Sequence, residues 1–362
     1  MPSNPTLGYR PSLDGLRGIA ITCVFIHHLD VGLTLGGLGV DIFFVLSGFL
    51  ITTLLLEEYR EQGRIDFKQF YLRRAFRLLP ALFCFLGAMV IYAAIALPSE
   101  VARETVRFAI FAVFYVTNWI FAFFVVSSPL LGHLWSLAIE EQFYFLWPIT
   151  LSVLLRSRLS RRSILILVTV LIVIVCVHRT ALVWSGARLE RIYDGTDTRA
   201  DSILIGCVVA MLVTWGMIRL NRIAVKVCGL LSIAVIAAYL LNLYGIPGKS
   251  IYTVGLTVFG LASGLLIVQA MSAPSGLIQK VLEHRLLVFI GKLSYSLYLW
   301  HLFAVKLAAS FGVMRIPFAV LFAMSLACTS YYLIERPFLK FKARLSDSRR
   351  DYEDRGVDLI TA

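Results

Sequence analysis

An arginine and a histidine stand eleven residues apart in the first apolar segment of the chain. At about 100° per residue, this spacing puts Arg17 and His28 on one face of a helix, about 16 Å apart along its axis. An imidazole near mid-membrane can act as a general base, and a cation near the cytoplasmic end can guide an anionic substrate. The alternative is structural: Asp14 precedes Arg17 by one turn and can form an ion pair with it, beside a hydrogen-bonded histidine.

Asp41 opens the second apolar segment, just after a glycine-rich turn. From there its carboxylate can reach back to His28 and hold the tautomer of a general base. The alternative is capping of the helix that begins after Gly39. Ser47 and Gly48 lie further along this segment and are typical of helix packing, with a serine nucleophile as the alternative.

Three arginines lie close together where the third apolar segment begins. Arg73 and Arg77 fall on one helical face, and Arg74 lies beside Arg77. Guanidinium groups at this spacing suit phosphate oxygens, which predicts a phosphate-binding cluster. The alternative is that they only anchor the segment on the cytoplasmic side, as basic residues do in many membrane proteins.

Two adjacent acids, Glu140 and Glu141, interrupt the fifth apolar segment. Neighbouring helical residues diverge by about 100°, so only one of the two can face a shared cavity fully. The alternative role is a salt bridge to Arg73 or Arg74. Two further polar islands are the predicted external loop 193–201, suited to a hydroxyl-rich ligand or simply polar, and residues 294–301 in the tenth segment.

The composition shows what must position these side chains. Apolar residues make up 59% of the 362-residue chain and charged residues 15%, against roughly 45–50% and 25% in soluble domains. The mean hydropathy is +0.82. These values exclude a soluble enzyme and a disordered chain, and predict an all-α polytopic membrane helix bundle. The six cysteines are scattered without a CxxC pair, so we predict no metal site.

Eleven segments are apolar and long enough to be candidate spans. They are 16–37, 40–56, 78–97, 106–126, 137–155, 163–184, 201–218, 226–244, 250–271, 286–309 and 316–334.

The positions of lysine and arginine in the short loops set the predicted orientation. Loop 57–77 carries six of them and loop 29–39 none, so the N-terminus is predicted to be cytoplasmic. The basic residues after Arg336 predict a cytoplasmic C-terminus as well. The basic loops on either side of 78–156 require an even number of crossings between them. We therefore predict ten full spans and one re-entrant or half-inserted segment within 106–155. The net charge of +12 is thus explained by topology, which leaves no reason to expect a nucleic-acid partner.

The polar segments described above, taken together, resemble the motifs of the acyltransferase-3 family of integral membrane acyltransferases. The resemblance runs from about residue 9 to 338, which predicts a membrane acyltransferase domain at 9–338 and a basic cytoplasmic tail at 339–362. The motifs that carry it are 13–18 with the Arg17–His28 spacing, 39–49, 73–80, 133–148, 195–201, 294–301 and 334–338.

The resemblance implies transfer of an acyl group, commonly acetyl from acetyl-CoA, to a hydroxyl of a carbohydrate acceptor. By position, Arg17 and His28 match the family's paired functional residues, and the further polar positions of its motifs match Asp41, Arg73, Arg74, Arg77 and Glu141. Many relatives have a proline shortly after the histidine that matches His301, but this chain has none at that place. This difference argues against a catalytic role for His301. We also expect no appended extracytoplasmic esterase-like domain.

The resulting hypothesis is an integral cell-membrane enzyme whose site bridges the bilayer. Acyl-CoA binds from the cytosol through the three arginines, Arg17 guides its arm, and His28, oriented by Asp41, is the general base for the acceptor hydroxyl. A covalent acyl-His28 intermediate is an alternative chemistry. A glycosylated small molecule such as a macrolide is an alternative acceptor, and a proton-coupled secondary transporter is the alternative class.

Overall fold

The computed structural model describes residues 8–31, 36–218, 222–241, 248–272 and 276–340, and within these residues every regular element is a helix. The predicted all-α membrane helix bundle is therefore confirmed. In chain order the α-helices are α1 Pro11–Leu29, α2 Gly39–Gln62, α3 Phe67–Ala96, α4 Ser99–Val113, α5 Thr117–Phe123, α6 Trp135–Arg156, α7 Arg161–Trp184, α8 Leu189–Asp194, α9 Thr196–Thr214, α10 Arg222–Leu240, α11 Gly248–Ser250, α12 Leu256–Ser272, α13 Leu277–Leu282, α14 Arg285–Lys292, α15 Ser294–Ala308 and α16 Arg315–Ser330.

Most predicted segments coincide with one of the longer helices, and segment 106–126 overlaps the bent pair α4–α5. By length and composition, six helical stretches of the described chain could cross a membrane, or seven if the bent pair is one span. Helices α1, α6 and α9 are not among them, and each carries several ionisable side chains. The predicted count of ten full crossings therefore stays a prediction, and most of the predicted tail, from residue 341, lies outside the described residues.

Two predicted boundaries were wrong. The first segment was predicted to continue to residue 37, but α1 ends at Leu29, where Asp30 adopts a left-handed conformation. His28 therefore lies in the last turn of its helix and not near the middle of a span. The segment 286–309 is divided at Leu293 into α14 and α15, because α14 is a separate short helix packed against α1.

The helices form two compact units. Met1–Ile65 and Val106–Ser294 make up the first unit, and Asp66–Thr105 with Tyr295–Ala362 make up the second. The predicted site residues divide between them. The first unit contains Arg17, His28, Asp41 and Glu141, and the second contains Arg73, Arg74 and Arg77.

Glycines bring the helices of the first unit into close contact. Where α2 crosses α9, a Cβ atom on Gly48 would overlap the carbonyl of Ile203, and one on Gly206 would overlap the carbonyl of Val45. The same holds where Gly291 of α14 meets α1. Small residues allow helix backbones to approach in this way in membrane proteins, and here they bring the first turns of α2 and α9 together.

Helices α2 and α6 run in the same direction. Three hydrogen bonds join them in matching order along both helices: Ser47 donates to Glu140, Trp147 donates to Thr52, and Tyr59 donates to the carbonyl of Leu155. Two parallel helices start on the same side of a membrane, so an odd number of crossings must lie between the end of α2 and the start of α6. Helix α3 is long and apolar enough to be that crossing. The pair α4–α5, which bends by 118° near Tyr115, fits the predicted half-inserted segment.

Candidate active site

His28 has a defined tautomer. Its Nδ1 atom lies 2.8 Å from the carbonyl oxygen of Val24, one turn earlier in α1. A carbonyl can only accept, so Nδ1 carries the proton and the lone pair of the neutral ring is on Nε2. The side chain of His28 is half-buried, whereas that of His27 is exposed. The ring of His28 is therefore held in the form that a general base needs.

Arg17 lies in the same helix as His28, as predicted, eleven residues earlier. Its Nη1 atom is 3.4 Å from a carboxylate oxygen of Asp14, and both side chains are largely buried. The predicted Asp14–Arg17 ion pair is thus present, with a long separation. It leaves the predicted role of Arg17 in guiding the donor untested.

Asp41 has partners other than the one we predicted. One carboxylate oxygen accepts a hydrogen bond from Nη2 of Arg199 at 2.9 Å, and the other accepts one from the hydroxyl of Ser202, also at 2.9 Å. Asp41, Arg199 and Ser202 are all fully buried. Val24, and not Asp41, sets the tautomer of His28. The close α2–α9 crossing explains the difference, because it turns the first turn of α2 toward α9.

Three aromatic rings surround the Arg199 guanidinium. Its central carbon lies 4.8 Å from the ring centre of Tyr193, 5.7 Å from that of Trp135 and 5.8 Å from that of Phe44. Cations are attracted to aromatic faces at such distances. We call these four residues together with Asp41 the Arg199 cluster. The sequence predicts an external loop at 193–201 and therefore does not reveal this cluster, whereas α9 already begins at Thr196.

The Arg199 cluster extends toward the two histidines through Gly37. A Cβ atom on Gly37 would lie 3.2 Å from the Tyr193 hydroxyl oxygen and 3.6 Å from the ring of His27. The rings of His27 and His28 are in turn 5.4 Å apart between centres. The end of α1, the start of α2 and the start of α9 therefore form one polar and aromatic region of the first unit.

A second buried arginine, Arg179 of α7, was also missed. It forms an ion pair with Asp201 at 2.8 Å and donates to the carbonyl oxygens of Thr198 and Thr253 and to the hydroxyl of Thr257. Arg179 lies within the predicted span 163–184, so the cost of an intramembrane charge was the signal that could have found it. Its contacts join α7, α9 and α12.

Of the two adjacent acids in α6, Glu140 contacts α2. Glu140 accepts a hydrogen bond from Ser47 at 3.0 Å and a longer one from Tyr144 at 3.4 Å. Both Glu140 and Glu141 are half-buried. It is thus Glu140 that faces α2, while the catalytic role predicted for Glu141 is untested. Gly48, next to Ser47, has the packing role that its sequence context favours.

Asp194 ends α8 close to the Arg199 cluster. Burial raises the pKa of its carboxyl to about 7; the positive charge of Arg199 opposes this rise and the negative charge of Glu190 adds to it. The folded protein therefore favours protonated Asp194, with a pKa above its usual value of 3.8. The resulting stability is present at low pH and is lost as the pH rises through about 7.

We expect the unfolding free energy to fall by at most about 4 kcal/mol between about pH 4 and pH 8 through this group. Asp194→Asn should remove that dependence, because the amide does not ionise. Thermal unfolding in detergent across this pH range measures it. An unchanged slope in Asp194→Asn would show that another group is responsible.

In the second unit, the three arginines lie on the N-terminal half of α3. Arg73 donates to the side-chain oxygen of Gln69 at 2.6 Å, and Arg77 interacts electrostatically with Glu335, which also accepts from Ser296. His301 is fully buried in α15, and its Nδ1 atom lies 2.7 Å from the carbonyl oxygen of Tyr298. This position agrees with a packing role for His301.

No group of three or more His, Cys, Asp or Glu side chains could hold a metal ion in the part of the chain that the structure describes. The six cysteines are free thiols.

These features define a polytopic helical membrane protein with buried ion pairs and an oriented histidine at one end of its first unit. Residues 10–335 match the family described as Acyltransferase domain, and the chain belongs to this family. The resemblance read from the motifs is thereby confirmed.

The chain is similar to curated relatives from Staphylococcus aureus and Listeria monocytogenes. It is 37% identical over 356 residues to the O-acetyltransferase OatA of Staphylococcus aureus, covering 92% of this chain and 58% of that protein. It is 36% identical over 316 residues to the peptidoglycan O-acetyltransferase OatA of Listeria monocytogenes, covering 81% and 49%. The chain thus spans about half the length of these relatives. No solved structure matches it.

Proposed function

We propose that this chain transfers an acyl group, acetyl in the simplest case, from acyl-CoA to a hydroxyl group of a cell-wall polysaccharide. Membership of the acyltransferase family supports the reaction class. The names of the relatives, O-acetyltransferase and peptidoglycan O-acetyltransferase, support the acetyl group and the acceptor. The observation that carries the proposal is the hydrogen bond from His28 Nδ1 to Val24, which puts the basic lone pair on Nε2.

In the proposed reaction, Nε2 of His28 takes the proton of the acceptor hydroxyl as its oxygen attacks the thioester carbonyl. The carbon–sulfur bond then breaks, the acyl oxygen ester forms, and the proton passes to the departing CoA thiolate. General-base catalysis of this kind typically contributes about 10² to 10⁴-fold. The Val24 carbonyl keeps the ring orientation through both proton transfers.

On the donor side, we propose that Arg73, Arg74 and Arg77 bind the phosphates of CoA at the cytoplasmic mouth. Their support is the spacing of three guanidinium groups within little more than one turn of one helix, α3. Arg17, with its long and therefore weak contact to Asp14, would guide the pantetheine arm toward His28.

Purified protein incubated with labelled acetyl-CoA and a soluble saccharide tests the function. We expect release of CoA that depends on the saccharide, and label in the saccharide. The alternative, a proton-coupled transporter, predicts no CoA release and instead pH changes inside protein-containing vesicles when its substrate is added.

Replacing the three arginines with glutamine tests the donor site separately. We expect the KM for acetyl-CoA to rise by about 10- to 100-fold, because charge-assisted hydrogen bonds to phosphate are lost. The matched control is Arg64→Gln, which changes an exposed arginine just before α3. Equal effects of both changes would mean that only the overall positive charge matters.

A further inference from the structure

Two buried arginines of the first unit differ in how they use their donors. Arg179 and Arg199 are both fully inaccessible, and each is paired with an aspartate of a neighbouring helix. Arg179 donates from all three of its nitrogens, to Asp201, two threonine carbonyls and one threonine hydroxyl. Arg199 donates from Nη2 to Asp41. Its Nε and Nη1 atoms are buried and have no hydrogen-bond partner in the part of the chain that the structure describes.

Unused donors on a buried guanidinium are costly, so they call for an acceptor. A buried donor that loses its partner costs the full desolvation of that group, more so for a charged one. Native proteins keep such groups few, and each one that occurs requires an explanation, such as a catalytic role or a bound water or ion. Arg179 therefore has the contacts of a structural arginine, whereas Arg199 has donors available for a ligand oxygen.

The charge of the site indicates what kind of oxygen this is. Asp41 lies 2.9 Å from Arg199 and neutralises its charge. A second anion would therefore be attracted only weakly to the ion pair, and removing that anion from water would cost free energy. A hydroxyl or carbonyl oxygen carries no net charge and accepts hydrogen bonds from Nε and Nη1 equally well. The ion pair thus favours a neutral oxygen-rich ligand.

The rings around Arg199 narrow the ligand class further. Trp135 and Tyr193 are half-buried, so both also reach the surface, and their centres are 4.7 Å apart. Aromatic faces carry a partial negative charge that attracts the C–H groups of a sugar ring. Aromatic rings beside hydrogen-bond donors therefore suit a saccharide. Through Gly37 and His27 this surface continues to His28.

We propose that the Arg199 cluster is the subsite for the saccharide acceptor, with Nε and Nη1 of Arg199 donating to a hydroxyl or carbonyl oxygen of the sugar. The sugar lies against Trp135 and Tyr193, and the next sugar hydroxyl is directed toward His28. This assignment rests on the proposed function, because it names the substrate contact of that same site.

Matched lysine substitutions of the two arginines test the assignment. Lysine keeps the positive charge opposite the aspartate and removes the guanidinium fork. For Arg199→Lys we expect an unfolding midpoint close to that of the unsubstituted protein, and an acceptor KM raised by about 10- to 100-fold. The KM for acetyl-CoA should not change. For Arg179→Lys we expect a clearly lower unfolding midpoint and an acceptor KM within about twofold, because its five hydrogen bonds are structural.

Binding is measured without turnover by the rise in unfolding midpoint with a neutral N-acetylglucosamine tetramer, in the absence of CoA. The unsubstituted protein should show this rise, and Arg199→Lys should not. Trp135→Leu is a second variant that leaves the ion pair intact and should also lose the rise.

Three outcomes would overturn the subsite: no rise in the unsubstituted protein, a normal rise in Arg199→Lys, or a normal rise in Trp135→Leu. A rise that depends on Arg199, together with no acyl transfer from acetyl-CoA, would support the saccharide subsite and refute the proposed function.

Discussion

Replacing His28 with alanine is expected to lower the rate of acyl transfer by about 10² to 10⁴-fold, which is what general-base catalysis contributes. The imidazole is the group whose Nε2 can accept the acceptor proton, and its hydrogen bond to Val24 fixes that tautomer. Alanine is a good helix former, so α1 should be retained. Initial rates with labelled acetyl-CoA and a saccharide measure the loss.

The matched control is His27→Ala, one residue earlier in the same turn of α1. His27 is exposed, and its replacement should leave the rate at saturating saccharide within about threefold, since no proton transfer is assigned to it. A His28→Ala protein that transfers acetyl at the unsubstituted rate would rule out His28 as the base. An equal loss in both variants would point to local disruption at the end of α1.

Replacing Gly206 with alanine is expected to disrupt the packing of the first unit. The added Cβ would overlap the backbone carbonyl of Val45 on α2, and a backbone atom cannot rotate away as a side chain can. Overpacking typically costs about 1–3 kcal/mol and sometimes more. We expect a sharply lower yield of folded protein and a lower unfolding midpoint in detergent, with loss of activity because Asp41 and Arg199 are held by this crossing.

Gly87→Ala is the control for that result. Gly87 lies within α3 and is exposed, and a Cβ atom there would meet nothing within 4 Å. Alanine is favoured over glycine in a helix interior by about 1 kcal/mol, so this variant should be as stable as the unsubstituted protein or more so. Normal folding of Gly206→Ala would mean that α2 and α9 lie further apart than described.

Much of this protein could be predicted from its residue order. Because an ionisable group in an apolar segment is costly wherever it lies, Arg17, His28 and Asp41 stood out against the apolar background. The same reasoning gave the helical fold, and the order of the motifs gave the family that residues 10–335 match. These conclusions depend on local composition and spacing, which the chain carries without reference to its packing.

The partners of those groups could not be predicted in this way. Asp41 and Arg199 are 158 residues apart in sequence, and they meet because glycines at the α2–α9 crossing let the two backbones approach. Arg179 and Arg199 look equivalent as buried cations. Among the described residues, however, all three guanidinium nitrogens of Arg179 donate hydrogen bonds, whereas Nε and Nη1 of Arg199 have no partner. The sequence by itself determined which ionisable side chains lie in apolar segments, where burial is unfavourable. The packing of the helices decided which hydrogen-bond partner each of them has, because hydrogen bonds depend on distances of a few ångströms that spacing along the chain does not set.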